Sequence, residues 1–268
     1  MALERAAPVA STPPPAALLS LRDIAKTFPS GTQALVDLSL DVAAGDFLSL
    51  LGPSGCGKST VLRIIAGLVE PGAGTIQWQP SGSANGGRPE IGFVFQEPTL
   101  MPWATVADNV WLPLRLKGQS RNAARSAVMD ALKTVGLEAS AAAYPRELSG
   151  GMQMRVSIAR ALVTRPKLLL MDEPFAALDE ITRLRLNDEL IDLWQRFGWT
   201  VIFVTHSVLE SVYLSRHVVV MATKPGRLFG ALDVAAPYPR GENFRTSPTY
   251  ADDCRRVSET LHAAMAAN

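Results

Sequence analysis

Apolar and polar positions alternate along this chain in two rhythms. Leu35–Val42 switches between them with a period of two, as a half-exposed strand does. Asp46–Leu51, Ile91–Phe95, Lys167–Met171, Thr200–Thr205 and Val218–Met221 are short, nearly continuous apolar runs of the kind that fills a buried strand. Between these runs the spacing becomes helical. Lys58–Leu68 follows the strand at Asp46–Leu51, and Thr105, with Asp108 three positions on, can cap a helix. Ala124, Ala127, Val128, Ala131, Leu132 and Val135 form a stripe that Ser120 can open and Gly136 can close. Ile181, Leu184, Ile191, Leu193, Trp194 and Phe197 mark a further helix ending at Gly198. Gly72 and Gly74 read as a turn, and Ser81–Gly87 as a loop. The alternation predicts an α/β fold with a mostly parallel sheet under helices, and residues 98–158 read as a helical insertion.

Composition narrows the function classes. The chain has 268 residues, 47% of them hydrophobic and 19% charged, enough for a substantial core. A net charge of +1 gives no global basic excess to point to nucleic acid or anionic lipid. Cys56 and Cys254 make neither a disulfide framework nor a metal-binding spacing, as expected in a reducing compartment. No apolar run reaches the length of a membrane span. Residues 1–17, rich in Ala and Pro, read as a disordered tail without the apolar core of an export signal, and residues 246–268 as a C-terminal tail. Work at a membrane would require a partner.

Two local motifs carry chemistry. Gly52-Pro53-Ser54-Gly55-Cys56-Gly57-Lys58-Ser59 fits the phosphate-binding loop G-x-x-x-x-G-K-[ST], with a strand before it and a helix after it. Small residues let successive N–H groups turn inward toward phosphate oxygens, and the helix N-terminus adds positive potential. Lys58 is expected on the β- and γ-phosphates, Ser59 on Mg²⁺ and Thr60 near the α-phosphate. Cys56 reads as small filler, or as a thiol activated by the helix terminus whose alkylation would block nucleotide binding. The second motif, Leu168–Pro174, is an apolar strand ending in two acids. Asp172 is expected to organise Mg²⁺ and Glu173 to polarise the attacking water, because parallel strands present their ligands at their carboxyl ends.

Upstream of that strand, Leu148-Ser149-Gly150-Gly151-Met152-Gln153 opens a helix whose exposed hydroxyl and N–H groups suit an anion. Here the chain resembles the ABC ATPase family, whose signature is LSGGQ-like; Met152 at the fifth position departs from the commonest form. The resemblance covers roughly residues 18–230 and implies an ATPase domain at 18–245. It also implies a P-loop NTPase (RecA-like) core with an antiparallel β subdomain and an inserted α-helical subdomain. Gln96 matches the Q-loop glutamine, a catalytic and metal-sensing position, Asp179 the D-loop and His206 the switch histidine. Phe28 stands where the family often has an aromatic against adenine, and a core role is equally open.

The resemblance further implies an ATP- and Mg²⁺-dependent homodimer in which the Ser149–Gly151 segment of one copy meets the nucleotide held by the other. Integral membrane permease subunits would dock near Glu97–Val110, with an extracytoplasmic solute-binding protein acting indirectly and no nucleic-acid partner. The place would be the cytoplasmic face of a bacterial inner membrane. Phe95–Val110, Glu173–Arg183 and Lys224–Arg227 resemble the nitrate, sulfonate and taurine importers. Other transporter classes stay open, as do a soluble ABC ATPase acting on DNA or the ribosome and an accessory nucleotide-binding protein without turnover. The presence of both Glu173 and His206 speaks against the last.

Overall fold

A computed structural model describes residues 17–79 and 88–267. The loop expected at Ser81–Gly87 lies outside the described residues, as does the N-terminal tail apart from Ala17, which opens the first strand. In chain order the strands are β1 (Ala17–Thr27), β2 (Gln33–Ala43), β3 (Phe47–Leu51), β4 (Ala73–Trp78), β5 (Ile91–Val94), β6 (Leu168–Asp172), β7 (Thr200–Thr205), β8 (His217–Ala222) and β9 (Arg227–Asp233). The helices are α1 (Lys58–Ile65), α2 (Val106–Leu116), α3 (Arg121–Thr134), α4 (Gly150–Leu162), α5 (Glu180–Phe197), α6 (Val208–Leu214), α7 (Glu242–Arg245) and α8 (Pro248–Ala266).

Six strands form the main sheet in the order β5-β6-β7-β3-β8-β9, parallel except for β9. Its central strands are buried on both faces, which explains their continuous apolar runs. Successive residues belong to different cores. Phe47, Leu51, Leu169, Met171, Val201 and Phe203 join α2–α5 and α8 on one side. Leu48, Leu50, Leu168, Leu170, Ile202 and Val204 join α1 and the second sheet on the other.

That second sheet is antiparallel, in the order β2-β1-β4. It bears directly on the phosphate loop. A β-carbon on Gly57 would lie 2.6 Å from Leu35 Cδ2, and one on Gly226 would lie 2.3 Å from the Cys56 carbonyl oxygen. The second contact is braced by Val36 N–H donating to the Gly226 carbonyl at 2.9 Å.

Helices α2, α3 and α4 stand between β5 and β6 in the chain. Thr105 and Ser120 cap α2 and α3 through their side chains, and α4 runs on to Leu162, past residue 158. Three expectations are corrected. Gly74 is not in a turn but inside β4, where φ of 88° and the Asp23 carbonyl, 2.4 Å from where a β-carbon would stand, exclude a side chain. In α5 the core side is Leu186, Leu190, Ile191 and Trp194, while Ile181 (81%), Leu184 and Phe197 are exposed; the apolar residues at both ends of the helix lie off the buried stripe. The C-terminal segment is a 19-residue helix rather than a tail, and it buries Tyr250, Val257 and Ala264 against the main core.

Candidate nucleotide site

The site is built at the carboxyl ends of β3, β6 and β7, which lie side by side in register. Beyond β3 the chain turns through Gly52–Gly57 into α1. Gly55 (φ 80°) and Gly57 (φ 92°) take left-handed backbone, and Gly57 is the residue that starts the helix. Gly52 is pressed against Met221, with its missing β-carbon 2.8 Å from the Met221 carbonyl and 2.8 Å from Cys56 Sγ. Ser54 and Gly55 are exposed, Pro53, Ser59 and Thr60 half-buried. Lys58 is buried, and its Nζ donates to the carbonyls of Gly52 at 2.7 Å and Pro53 at 3.1 Å. The loop thereby holds a cation at its centre.

Cys56 is fully buried, and desolvation pushes its thiol above the ordinary range despite the nearby Lys58 ammonium. The activated-thiol expectation is therefore corrected. The Lys58 charge and hydrogen bonds at the loop lower the thiol pKa, but burial outweighs them, and the residue is filler against Gly52.

Asp172 closes β6 and accepts a hydrogen bond from the Ser59 hydroxyl at 2.8 Å. Burial pushes its carboxyl above the usual range, with the Ser59 bond and the Arg63 and Lys58 charges working in the opposite direction. Glu173 follows with φ of 46°, a left-handed conformation that costs a non-glycine residue about 1–3 kcal/mol. Its N–H still donates to the Val204 carbonyl at 3.0 Å, so the turn is anchored to β7. The Glu173 carboxylate lies 3.7 Å from Lys58 Nζ through Oε1 and 3.2 Å from His206 Nδ1 through Oε2. Three side chains from three strand ends thus converge: Lys58, Glu173 and His206.

Gln96 is exposed in the bend after β5. Val94 pairs with Met171, so Gln96 stands just beyond the carboxyl end of the strand next to Asp172. Phe28 is half-buried in the β1–β2 turn and joins neither core cluster; Lys26 Nζ lies 5.7 Å from its ring centroid.

Ser149 and Gly150 are exposed at the start of α4, where the Ser149 hydroxyl accepts from Met152 N–H at 3.3 Å. Within the chain this turn packs beside Asp179 rather than beside Lys58. A β-carbon on Gly150 would lie 3.4 Å from Leu178 Cδ2, and one on Gly151 would lie 2.9 Å from Thr182 Cγ2. Asp179 caps α5, accepting from Thr182 N–H at 2.9 Å, and that bond holds its carboxyl below the usual range.

Sequence reasoning missed the Gly151–Thr182 contact and the residues behind His206. Ser207-x-x-Glu210 is a capping-box pattern that would have announced α6. A cleft of about 690 Å³ does exist, but it lies at the amino ends of β3, β6 and β7, beside Gly45, Lys167 and Thr200.

Comparison with known proteins identifies the family. Residues 35–176 match the family described as ABC transporter. The aliphatic sulfonates import ATP-binding protein SsuB of Bacillus licheniformis is 45% identical over 235 residues, 87% of this chain and 89% of that one. Its namesake in Bacillus subtilis is 44% identical over 223 residues, 83% and 85% of the two chains. Among solved structures, the dimeric ATP-binding cassette MJ0796 in a post-hydrolysis state bound to ADP and Pi superimposes with a TM-score of 0.70 at 33% identity, covering 82% of this chain and all of that one. With the phosphate loop, the acidic strand end and the signature turn carried on this fold, the chain belongs to the ABC transporter ATP-binding family.

Proposed function

We propose that this chain is the ATP-hydrolysing subunit of an ABC importer for aliphatic sulfonates, acting as a homodimer beneath two permease subunits. One observation carries the catalytic part: Lys58 and His206 each lie within 3.7 Å of the Glu173 carboxylate, beside the Ser59–Asp172 pair. The import assignment rests on the sulfonate importers named above and on the Q-loop segment of similar sequence.

ATP is the substrate. Lys58 and the inward N–H groups of the loop bind its β- and γ-phosphates, displacing the loop carbonyls that now receive the Lys58 ammonium. Glu173 accepts the proton of the attacking water, and His206 orients that water and the γ-phosphate. Gln96, exposed in the bend after β5, would sense a bound metal ion and the attacking water and report to the helical insertion.

The residues fit a magnesium ion. Asp172 and Ser59 offer hard oxygen donors, and Asp172 is a buried carboxylate for which desolvation makes a cation favourable. An ion held by Ser59 and Asp172 would supply charge neutralisation to the nucleotide's phosphates.

Gly150 and Gly151 pack beside Leu178 and Thr182 of their own chain, and in this reading the phosphate contact of Ser149, Gly150 and Gly151 is to the nucleotide held by a second copy. Only contacts that differ between open and closed pairs can shift that equilibrium, and the γ-phosphate supplies them. Permease coupling falls to Glu97–Val110, where Trp103 is 77% exposed while Leu100 packs on the core. Among the described residues no helix is long and apolar enough to cross a membrane; the likeness to the sulfonate importers' ATP-binding proteins supports a place at the cytoplasmic face beside the permease.

The test is reconstitution in vesicles with the permease and an extracytoplasmic solute-binding protein. Mg-ATP-driven uptake of an alkanesulfonate, lost with Lys58→Ala, is the expected result. Hydrolysis stimulated by DNA or ribosomes but not by the permease would overturn the importer reading.

A further inference from the structure

Behind His206 lies a buried carboxylate that the chemistry above does not use. Glu210 is 8% exposed, four residues past the histidine in α6. Its sequence, Ser207-x-x-Glu210, is that of a capping box, in which the glutamate side chain would return to the Ser207 N–H. Half of the box forms: Glu210 N–H donates to the Ser207 hydroxyl at 3.3 Å. The other half is diverted. Ser207 N–H donates to the Thr205 hydroxyl at 3.0 Å, and that hydroxyl donates to Glu210 Oε2 at 2.6 Å.

The relay therefore spans His206, binding the residues on either side of it. The second oxygen, Oε1, faces Arg183 Nε at 3.8 Å, and among the described residues no hydrogen bond reaches it. Arg183 lies in the first turn of α5, where its N–H donates to the Asp179 carbonyl at 2.9 Å. One carboxylate thus touches both the turn of the switch histidine and the helix capped by Asp179. A buried carboxyl group with one oxygen lacking a hydrogen bond is a poor choice for stability alone, since an apolar side chain would cost less desolvation.

We propose that Glu210 is a positioning residue for ATP hydrolysis, fixing the turn that carries His206 and tying it to the Asp179 end of α5. The proposal rests on the reading of His206 as a γ-phosphate contact. Glu210 does not touch nucleotide; it acts through the Thr205 hydroxyl and Arg183.

The test uses the full chain. The sequence has three histidines, His206, His217 and His262, so the imidazole resonances of labelled protein report on His206 with two internal references. Thr205→Val and Glu210→Ala should lower kcat of the permease complex about ten- to hundredfold, the scale of a small misplacement near the reacting atoms. KM for ATP should stay unchanged, and only the His206 resonances should move. Thr205→Ser, which keeps the hydroxyl, should behave as wild type. Should Glu210→Ala fail to fold, Thr205→Val decides alone, because it keeps the branched shape and removes only the hydroxyl that donates to Glu210 and accepts from Ser207 N–H. Wild-type kcat in Thr205→Val, unmoved His206 resonances, or a fall in ATP affinity matching the loss of kcat would each overturn the proposal. His206→Ala separates the two levels. If it hydrolyses ATP normally, the histidine reading itself falls; if it is inactive while Thr205→Val is not, only the role of Glu210 falls.

Discussion

A β-carbon on Gly151 would stand 2.9 Å from Thr182 Cγ2, so the signature helix and the helix capped by Asp179 meet with no room for a side chain between them. The signature turn is held from behind by its own chain while its exposed side is free for a second copy. Gly151→Ala should push the two helices apart. Overpacking costs about 1–3 kcal/mol, which corresponds to roughly five- to hundredfold in turnover if it falls on the closed dimer. Thr182→Ser removes the offending methyl and keeps the capped N–H, so the double variant should recover activity. Steady-state ATPase assays of the two variants and their combination check this.

Glu173→Gln should bind ATP normally, lose about 10²–10⁴-fold in turnover and accumulate as an ATP-bound dimer. The amide keeps the shape of the side chain but cannot take the water's proton. Size-exclusion chromatography with and without ATP, beside a hydrolysis assay, reads both halves; normal turnover would remove Glu173 from the role of base.

Asp172→Asn should separate stability from function. Burial raises the Asp172 pKa, so the ionised carboxylate at neutral pH is a cost to the nucleotide-free fold. The asparagine keeps an acceptor for the Ser59 hydroxyl and carries no charge. Its Tm without nucleotide should equal or exceed that of the wild type at neutral pH, while the extra thermal protection from Mg-ATP over ATP alone disappears. A lower Tm would show that the charge stabilises the loop.

His217 gives stability a pH signature. Its Nδ1 lies 2.7 Å from Asp46 Oδ2 and its Nε2 3.4 Å from Asp233 Oδ1. The Asp46 hydrogen bond raises its pKa, with burial and Arg216 opposing. A histidine whose folded pKa is raised contributes fully below its unfolded value, about 6.5, and loses that contribution as pH climbs through the folded value. The Tm advantage of the wild type over His217→Gln should be largest below about pH 6.5 and shrink as pH rises above that value. An advantage that does not change with pH would assign the effect to packing.

Cys56 should resist alkylation in the native protein, since its thiol is buried and its pKa raised. Mass spectrometry after exposure to iodoacetamide should find it unmodified in folded protein and modified after denaturation, with ATP making no difference. Rapid native labelling blocked by ATP would restore the activated-thiol reading.

Much of the candidate site was legible in the chain because its parts are contiguous. A phosphate loop needs eight neighbouring residues with a strand before them and a helix after. The acidic pair needs only an apolar strand ending at Asp172, and a helix-opening Ser149-Gly150-Gly151 is read in three letters. Gln96, Asp179 and His206 are placed by the resemblance to the ABC ATPase family, with Gln96 and His206 also standing just beyond the ends of apolar runs. What the sequence could not determine depends on atoms brought together from distant positions. Periodicity alone marks Ile181 and Phe197 in one apolar set with Ile191 and Trp194, yet packing decides which of them are buried, and it buries Ile191 and Trp194 beside Leu186 and Leu190. Gly74 looked like a turn because the strand pressing on it, β1, lies some fifty residues earlier. The C-terminal helix, the diversion of Glu210 to Thr205 and the contact of Gly151 with Thr182 likewise exist only once the chain has closed on itself. Local motifs specify which chemistry is present; burial, steric exclusion and the pairing of buried charges are properties of the packed structure, and they decide where that chemistry is held.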